Sequence, residues 1–276
     1  MNYLIIDKLI RNGLIEDINY GDVTTDNLFQ GGEISKGKFI AKEQGIIAGI
    51  EVAERVFKIL DSNIVFKKCL KDGHEVKSGD NIAYIEGSSN SILKGERVAL
   101  NIFQRMCGIA TKTFNIVQIV KDYDVKIVDT RKTLPGFRLL DKYSVRMGGG
   151  YNHRMNLSDF VMIKDNHIKA AGSIKEAVER IKSKIPFTTK IEVEVENFDQ
   201  LKEALSAKVD VIMLDNMDIE HMKKAVEFVD KRVILEASGN VNENNVADIA
   251  STGVDIISMG SLTHSVKALD ISLKFQ

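Results

Sequence analysis

Beyond about residue 125 the chain alternates short β-branched runs with helical stretches, and this alternation constrains the fold more than any other feature. The runs fall at residues 125–128, 160–163, 190–195, 211–214, 233–235 and 255–259. Apolar strands separated by helical crossovers pair in parallel and are covered on both faces. Six such strands fall short of the eight in a complete (β/α) barrel, so either the barrel is incomplete or two strands carry a weaker signal.

The preceding segment follows a different rule. Between residues 36 and 93, runs such as Lys38-Phe39-Ile40-Ala41, Gly45-Ile46-Ile47-Ala48 and Asn81-Ile82-Ala83-Tyr84-Ile85 are separated by Gly and Asp-Gly turns, which predicts a β-rich sandwich. Segment 71–80 also has the outline of a lipoyl-carrier turn, but neither Lys71 nor Lys77 has a Met beside it, and only Lys71 has an Asp, Asp72. Residues 1–14 mix Ile and Leu with Asp7, Lys8 and Arg11, the pattern of an amphipathic helix rather than a secretion signal. From 95 to 122 the apolar positions Val98, Ile102, Met106, Ile109 or Ala110, Phe114 and Val117 recur every three or four residues, predicting a long linking helix that breaks at Gly108. Residues 266–276 alternate Ile271, Leu273 and Phe275 with polar neighbours and are expected to return as a strand to the first domain. The expected organisation is therefore α/β, with an N-terminal domain at 1–110 and a barrel at 111–265.

Composition narrows the function. The chain has 276 residues, 28% of them charged, and a formal net charge of −1, which argues against disorder and against general polyanion binding. Cys69 and Cys107 form no CxxC pair, so neither a disulfide framework nor a zinc cluster is expected, and a reducing cytoplasm suits them. No stretch approaches the ~18 to 20 apolar residues of a membrane span.

The chemistry gathers after the strands. The six runs end on Asp129-Thr130-Arg131-Lys132, Lys164-Asp165, Glu194, Asp215-Asn216, Glu236 with Ser238-Gly239, and Gly260-Ser261. Strand ends converge on one mouth of a barrel, so these side chains should share one pocket. Between Thr130 and Arg154 lie six cations (Arg131, Lys132, Arg138, Lys142, Arg146 and Arg154) against the single acid Asp141. Guanidinium forks and ammonium groups concentrated in a neutral protein imply a ligand with two or more anionic groups. Nucleic acid is the weaker explanation, because few aromatics are interleaved. Gly148-Gly149-Gly150 permits close approach of backbone to ligand, but neither GxxxxGK[ST] nor GxGxxG is present. Glu192, Glu194 and Glu196 share one face of a strand, and with Asp215 on the next strand they can hold a hydrated Mg²⁺ or pair with Lys164 or Lys132. Lys164 at a strand end is also compatible with Schiff-base chemistry, and a binding module that holds dicarboxylate without turnover is a third class.

The motifs Asp129-Thr130-Arg131-Lys132-Thr133-Leu134-Pro135-Gly136, Gly148-Gly149-Gly150-Tyr151-Asn152-His153-Arg154, Ile163-Lys164-Asp165-Asn166-His167, Glu192-Val193-Glu194-Val195 and Leu214-Asp215-Asn216 resemble, in order and spacing, those of the quinolinate phosphoribosyltransferase family. Gly21-Asp22-Val23-Thr24, Gly95-Glu96-Arg97, Leu235-Glu236-Ala237-Ser238-Gly239-Asn240 and Gly260-Ser261-Leu262-Thr263-His264-Ser265 extend the likeness to nearly the whole chain. The fold that the resemblance implies is a β-rich N-terminal sandwich attached to an incomplete parallel α/β barrel. The resemblance implies condensation of quinolinate with phosphoribosyl pyrophosphate, giving nicotinate mononucleotide, carbon dioxide and pyrophosphate in NAD synthesis. It implies that Arg131, His153, Arg154 and Lys164 surround the pyridine dicarboxylate and that Arg97 comes from a second subunit of a homodimer, which can assemble further. Lys132, Glu194 and Asp215 would serve the phosphoribosyl pyrophosphate, the two acids meeting its Mg²⁺ through water. Ser238, Gly239 and Gly260 would receive the 5′-phosphate, with Thr130, Asn240, Met259 and Ser261 beside them. A relative of the same architecture acting on nicotinate is the runner-up.

Overall fold

The computed structural model describes residues 1–29 and 31–275. In chain order the first elements are α1 (Tyr3–Ile18), α2 (Thr25–Leu28), β1 (Ile34–Ala41), β2 (Gly45–Ile46), α3 (Ile50–Leu60), β3 (Val65–Lys68), β4 (Glu75–Val76), β5 (Asn81–Ser88) and α4 (Ser89–Ile119). There follow β6 (Lys126–Val128), α5 (Arg138–Met147), β7 (Val161–Ile163), α6 (Asp165–Ala171), α7 (Ile174–Lys182), β8 (Ile191–Val195), α8 (Phe198–Ser206), β9 (Val211–Asp215) and α9 (Ile219–Val229). The last are β10 (Ile234–Ser238), α10 (Val246–Ala250), β11 (Ile256–Ser258), α11 (Ser261–His264) and β12 (Ile271–Phe275).

The chain divides into two compact units, the first made of residues 1–114, 134–149 and 265–276 and the second of 115–133 and 150–264. In the first unit an antiparallel sheet of order β12-β1-β5-β3 packs with helices, and β12 lies along β1 from Gly37 opposite Phe275 to Ala41 opposite Ile271. Phe39 from β1, Phe57 from α3 and Phe66 from β3 meet with ring centroids 5.5 to 6.3 Å apart. Phe39 and Phe57 are fully buried, each contributing roughly 2–3 kcal/mol of transfer free energy.

Two sequence expectations need correction here. The helix α4 runs unbroken through Gly108: a Cβ there would lie 2.2 Å from the Lys267 carbonyl, so glycine serves to let another backbone pass. The first compact unit runs on to residue 114 and also takes in residues 134–149, which the expected organisation assigned to the barrel. That segment carries α5 and with it Arg138, Lys142 and Arg146. These three cations of the 130–154 cluster are therefore not strand-end groups of the barrel. Burial of one face of α5 explains this placement: Asp141 accepts a two-pronged ion pair from Arg105 Nε and Nη2 at 3.0 and 2.8 Å, and Tyr143 donates to Asp72 at 2.7 Å. Asp72 in turn accepts the Gly49 and Ile50 N–H groups at 2.9 and 3.0 Å, capping α3 from a distant turn. Segment 71–80 is thus a brace for α3 and α5, and a carrier reading finds no support in it.

The second unit is a parallel sheet of order β6-β11-β10-β9-β8-β7. Its strands match the six apolar runs to within a few residues, because one face of each strand is packed with apolar side chains: Ile191, Val193 and Val195 of β8 are all buried. The helices α7, α8 and α9 begin on Ser173, Asn197 and Asp218, whose side chains accept N–H groups of the first turn. None of the described helices is long and apolar enough to cross a membrane.

Candidate active site

A cavity of about 530 Å³ opens where the strands of the second unit end. Eleven residues singled out from sequence line it: Thr130, Arg131, Lys132, His153, Arg154, Lys164, Glu194, Asp215, Ser238, Gly239 and Asn240. Met162, Met213, Asn216, Glu236 and Ser258 complete the wall.

Parallel strands whose ends are level place these groups by simple register. Beyond β6, buried Asp129 accepts the Asn152 side-chain amide at 2.5 Å and the His153 N–H at 2.9 Å, so the turn after the glycine triplet is pinned to the strand end. His153 thereby enters the site. Its Nε2 lies 3.2 Å from Glu192 on β8 and 3.3 Å from Glu236 on β10, both carboxylates being almost fully buried. Burial opposes the imidazolium, but hydrogen bonds and charge from the two acids outweigh it and raise the His153 pKa to about 9. Nδ1 accepts the Arg154 N–H at 2.9 Å, a contact suited to the neutral ring. Two buried carboxylates at the other nitrogen are the stronger influence, and the charged ring is favoured at neutral pH. Burial, reinforced by Glu236, raises the Glu192 pKa although His153 and Arg154 pull against it.

Arg154 is held along one edge, donating from Nη1 to the Phe160 carbonyl at 3.3 Å and from Nη2 to Met162 Sδ at 3.5 Å, with the Phe160 ring 5.6 Å away. Its Nε is buried without a hydrogen-bond partner. Burial and the neighbouring Arg131 charge lower the Arg154 pKa from its ordinary value, so the two guanidinium groups stand close enough to repel. An anion between them would relieve both costs.

Lys164, between β7 and α6, pairs with Glu194 at 2.7 Å. Asp215 at the end of β9 accepts the Asn216 amide at 2.9 Å. Glu194 and Asp215 each keep a second oxygen without a hydrogen-bond partner among the described residues. Two hard carboxylate donors on adjacent strands at the edge of a wide cavity suit a hydrated Mg²⁺. Lys132 is fixed through its backbone: its N–H donates to Thr130 Oγ1 at 3.1 Å and its carbonyl accepts from buried Thr263 at 2.8 Å. Gly260 abuts the Lys132 stem, where a Cβ would come within 2.8 Å of Cδ.

Four expected binding residues fall elsewhere. Arg97 lies exposed on α4 in the first unit. Met259 is buried and its N–H is spent on the Val128 carbonyl at 3.0 Å, because it closes the register of β11 against β6. Gly260 and Ser261 adjoin the Lys132 stem and α11 without lining the cavity. Glu196, expected on the same face as Glu192 and Glu194, follows the end of β8 and is exposed. Asp129 and Thr263 were quoted within motifs but given no role. Asp129, an acid directly after a β run, is buried and holds Asn152 and the His153 N–H, and buried Thr263 donates to the Lys132 carbonyl.

The comparisons with known proteins agree with the geometry. The description "Quinolinate phosphoribosyl transferase, C-terminal domain" matches residues 109–274, and the corresponding N-terminal domain matches 22–107. A Bacillus subtilis protein named probable nicotinate-nucleotide pyrophosphorylase (carboxylating) is 44% identical over 273 residues, covering 99% of this chain and 94% of its own. A Mycobacterium leprae protein named nicotinate-nucleotide pyrophosphorylase (carboxylating) is 40% identical, covering 96% and 95%. The crystal structure of NadC from Streptococcus pyogenes superimposes with a TM-score of 0.96 at 42% identity, over 100% of this chain and 99% of that one. Both halves of the sequence and the whole course of the backbone place this chain in the quinolinate phosphoribosyltransferase family.

Proposed function

We propose that this chain is a pentosyltransferase that joins quinolinate to phosphoribosyl pyrophosphate, giving nicotinate mononucleotide, carbon dioxide and pyrophosphate in NAD biosynthesis. The observation that carries the reading is a single cavity lined by Arg131, His153 and Arg154 together with Glu194 and Asp215. The cationic side suits a pyridine dicarboxylate, each carboxylate being met by charge-assisted donors, and it turns the ring nitrogen toward the sugar. Most of the rate comes from that positioning, since attack on the anomeric carbon then needs no bimolecular encounter. As the C–O bond to pyrophosphate breaks and the C–N bond forms, the ribose gains positive charge, which the fixed carboxylates of Glu194 and Asp215 offset. Lys132 faces the growing negative charge on the leaving pyrophosphate. Lys164, paired with Glu194, is placed to contact a ring carboxylate while keeping that acid oriented. Carbon dioxide then departs from C2, the electron pair of the broken C–C bond stays on C2, stabilised by the adjacent pyridinium charge, and C2 takes a proton from solvent.

Mg²⁺ bound by Glu194 and Asp215 through water would neutralise charge on the pyrophosphate. The two cysteines are free thiols, consistent with a reducing cytoplasm. The working assembly is a homodimer to which each protomer lends Arg97. An opening of about 650 Å³ on the first unit, lined by Ile5, Leu9, Val98, Ile102, Pro135 and Phe137 with Lys8 and Glu16, supports burial of this face against a partner.

Purified protein given phosphoribosyl pyrophosphate, Mg²⁺ and quinolinate should release carbon dioxide, pyrophosphate and nucleotide, whereas nicotinate should yield no gas. Pyrophosphate release with nicotinate but not with quinolinate would reverse the assignment. Mixing inactive Arg97→Ala and Lys164→Ala proteins should restore activity through hybrid dimers, and no recovery despite subunit exchange would exclude a shared site.

A further inference from the structure

Asn216 follows the end of β9 and takes a left-handed backbone with φ of 52°, a conformation that asparagine tolerates better than most residues. Its N–H donates to the Ser238 carbonyl at 2.9 Å, extending the register that sets Asp215 opposite Ser238. The turn sends its side chain back between two strand ends. Nδ2 donates to Asp215 Oδ2 at 2.9 Å, and Oδ1 accepts from the Asn240 side chain at 3.1 Å. Gly239, with φ of 95°, crosses directly over this amide: a Cβ there would sit 2.2 Å from Asn216 Oδ1. The Asn240 carbonyl is itself gripped by Asn242 and Asn245 at 3.2 and 3.1 Å, which ties the turn to the start of α10. One carboxamide therefore bonds an acid on β9 and seats the glycine turn after β10. Asp215, Asn216, Gly239 and Asn240 all line the same cavity.

We propose that Asn216 is a positioning residue for the sugar-phosphate half of the site. It holds the Asp215 carboxylate toward the reacting sugar and keeps the 238–240 backbone open to receive a phosphate. A carboxamide is the group that can do both, because it offers a donor to the acid and an acceptor to the amide across one planar unit. The ligand class is a 5-phosphorylated sugar, so this inference rests on the phosphoribosyl-transfer reading above.

Asn216→Gly keeps the left-handed backbone and removes the side chain, which makes it a mild change for folding. Asn216→Asp keeps an acceptor for Asn240 but sets a second negative charge against Asp215. Steady-state kinetics of Asn216→Gly should show KM for phosphoribosyl pyrophosphate raised about tenfold and kcat lowered, with KM for quinolinate changed less than twofold. Asn216→Asp should lose more kcat than Asn216→Gly. Calorimetry with ribose 5-phosphate on the wild type and Asn216→Gly supplies a readout independent of turnover, with affinity about tenfold weaker in the variant. Equal rises in both KM values, an Asn216→Asp protein with wild-type kinetics, or unchanged ribose 5-phosphate affinity would each overturn the role. A wild type that binds ribose 5-phosphate but releases no pyrophosphate with quinolinate would instead sink the functional reading, and the calorimetric comparison would still decide the role of Asn216.

Discussion

Replacing Glu236 by glutamine removes one of the two negative charges at His153 Nε2 while leaving the side chain its volume. With both acids present, burial is overcome and His153 titrates at about 9 rather than 6.5, a gain of roughly 3 kcal/mol in favour of the charged ring. The carboxylates stand at nearly equal distance, 3.2 and 3.3 Å, so each supplies about half of the attraction. Burial still opposes the charge after the substitution, and it is then met by one acid in place of two. The midpoint of Glu236→Gln should therefore fall to about 7, with the three groups sharing protons as one unit in the wild type. A folded pKa above the unfolded one stabilises the protein fully below about pH 6.5, and that contribution is lost as pH rises through the folded value. Wild-type stability should thus decline between about pH 6.5 and 9, whereas in Glu236→Gln the decline is complete not far above 7. Titration of the histidine ring resonances by NMR, with His153→Asn to assign the signal, measures both midpoints. A wild-type midpoint at or below 6.5, or a variant midpoint still near 9, would refute the reasoning.

Arg154→Ala should weaken quinolinate binding by on the order of 2 kcal/mol, read by calorimetry, and an unchanged affinity would remove Arg154 from the dicarboxylate side. Asp141→Ala leaves the Arg105 guanidinium without its two-pronged partner and should cost about 3–5 kcal/mol in urea unfolding. A loss below about 1 kcal/mol would mean that the pair is well replaced by water. Gly108→Ala drives a methyl group onto the Lys267 carbonyl and should cost about 1–3 kcal/mol, seen as a thermal midpoint lowered by several degrees. An unaltered midpoint would show that the passing segment at Lys267 shifts freely.

The barrel was legible because its short strands, each with a buried apolar face, alternate regularly with helical stretches, and their ends told which side chains meet. Glu192 and Glu194 were correctly placed on one face by period-two alternation, but Glu196 lies one step past the strand, where that period no longer holds. Gly108 misled because helix propensity counts a glycine's cost and not the backbone it admits. Arg138, Lys142 and Arg146 misled in another way. Proximity in sequence suggested one cluster, whereas α5 turns away to pack on Arg105 and Asp72, a preference set by partners far along the chain. The clamp on His153 was invisible for the same reason, since its three members come from β8, β10 and the loop before β7, and only folding brings them within hydrogen-bonding reach.

The pairing of β1 with β12 joins segments from nearly opposite ends of the sequence, with the whole parallel sheet encoded between them. During translation β1 must wait, one edge bare, until everything up to residue 275 has been made. The second unit meets no such delay, for all its strands lie within one contiguous stretch apart from the excursion through 134–149. Nascent chains stalled before residue 271 would therefore carry an unpaired, apolar-faced strand, the kind of surface that holdase chaperones cover and that pairs wrongly with a neighbouring copy.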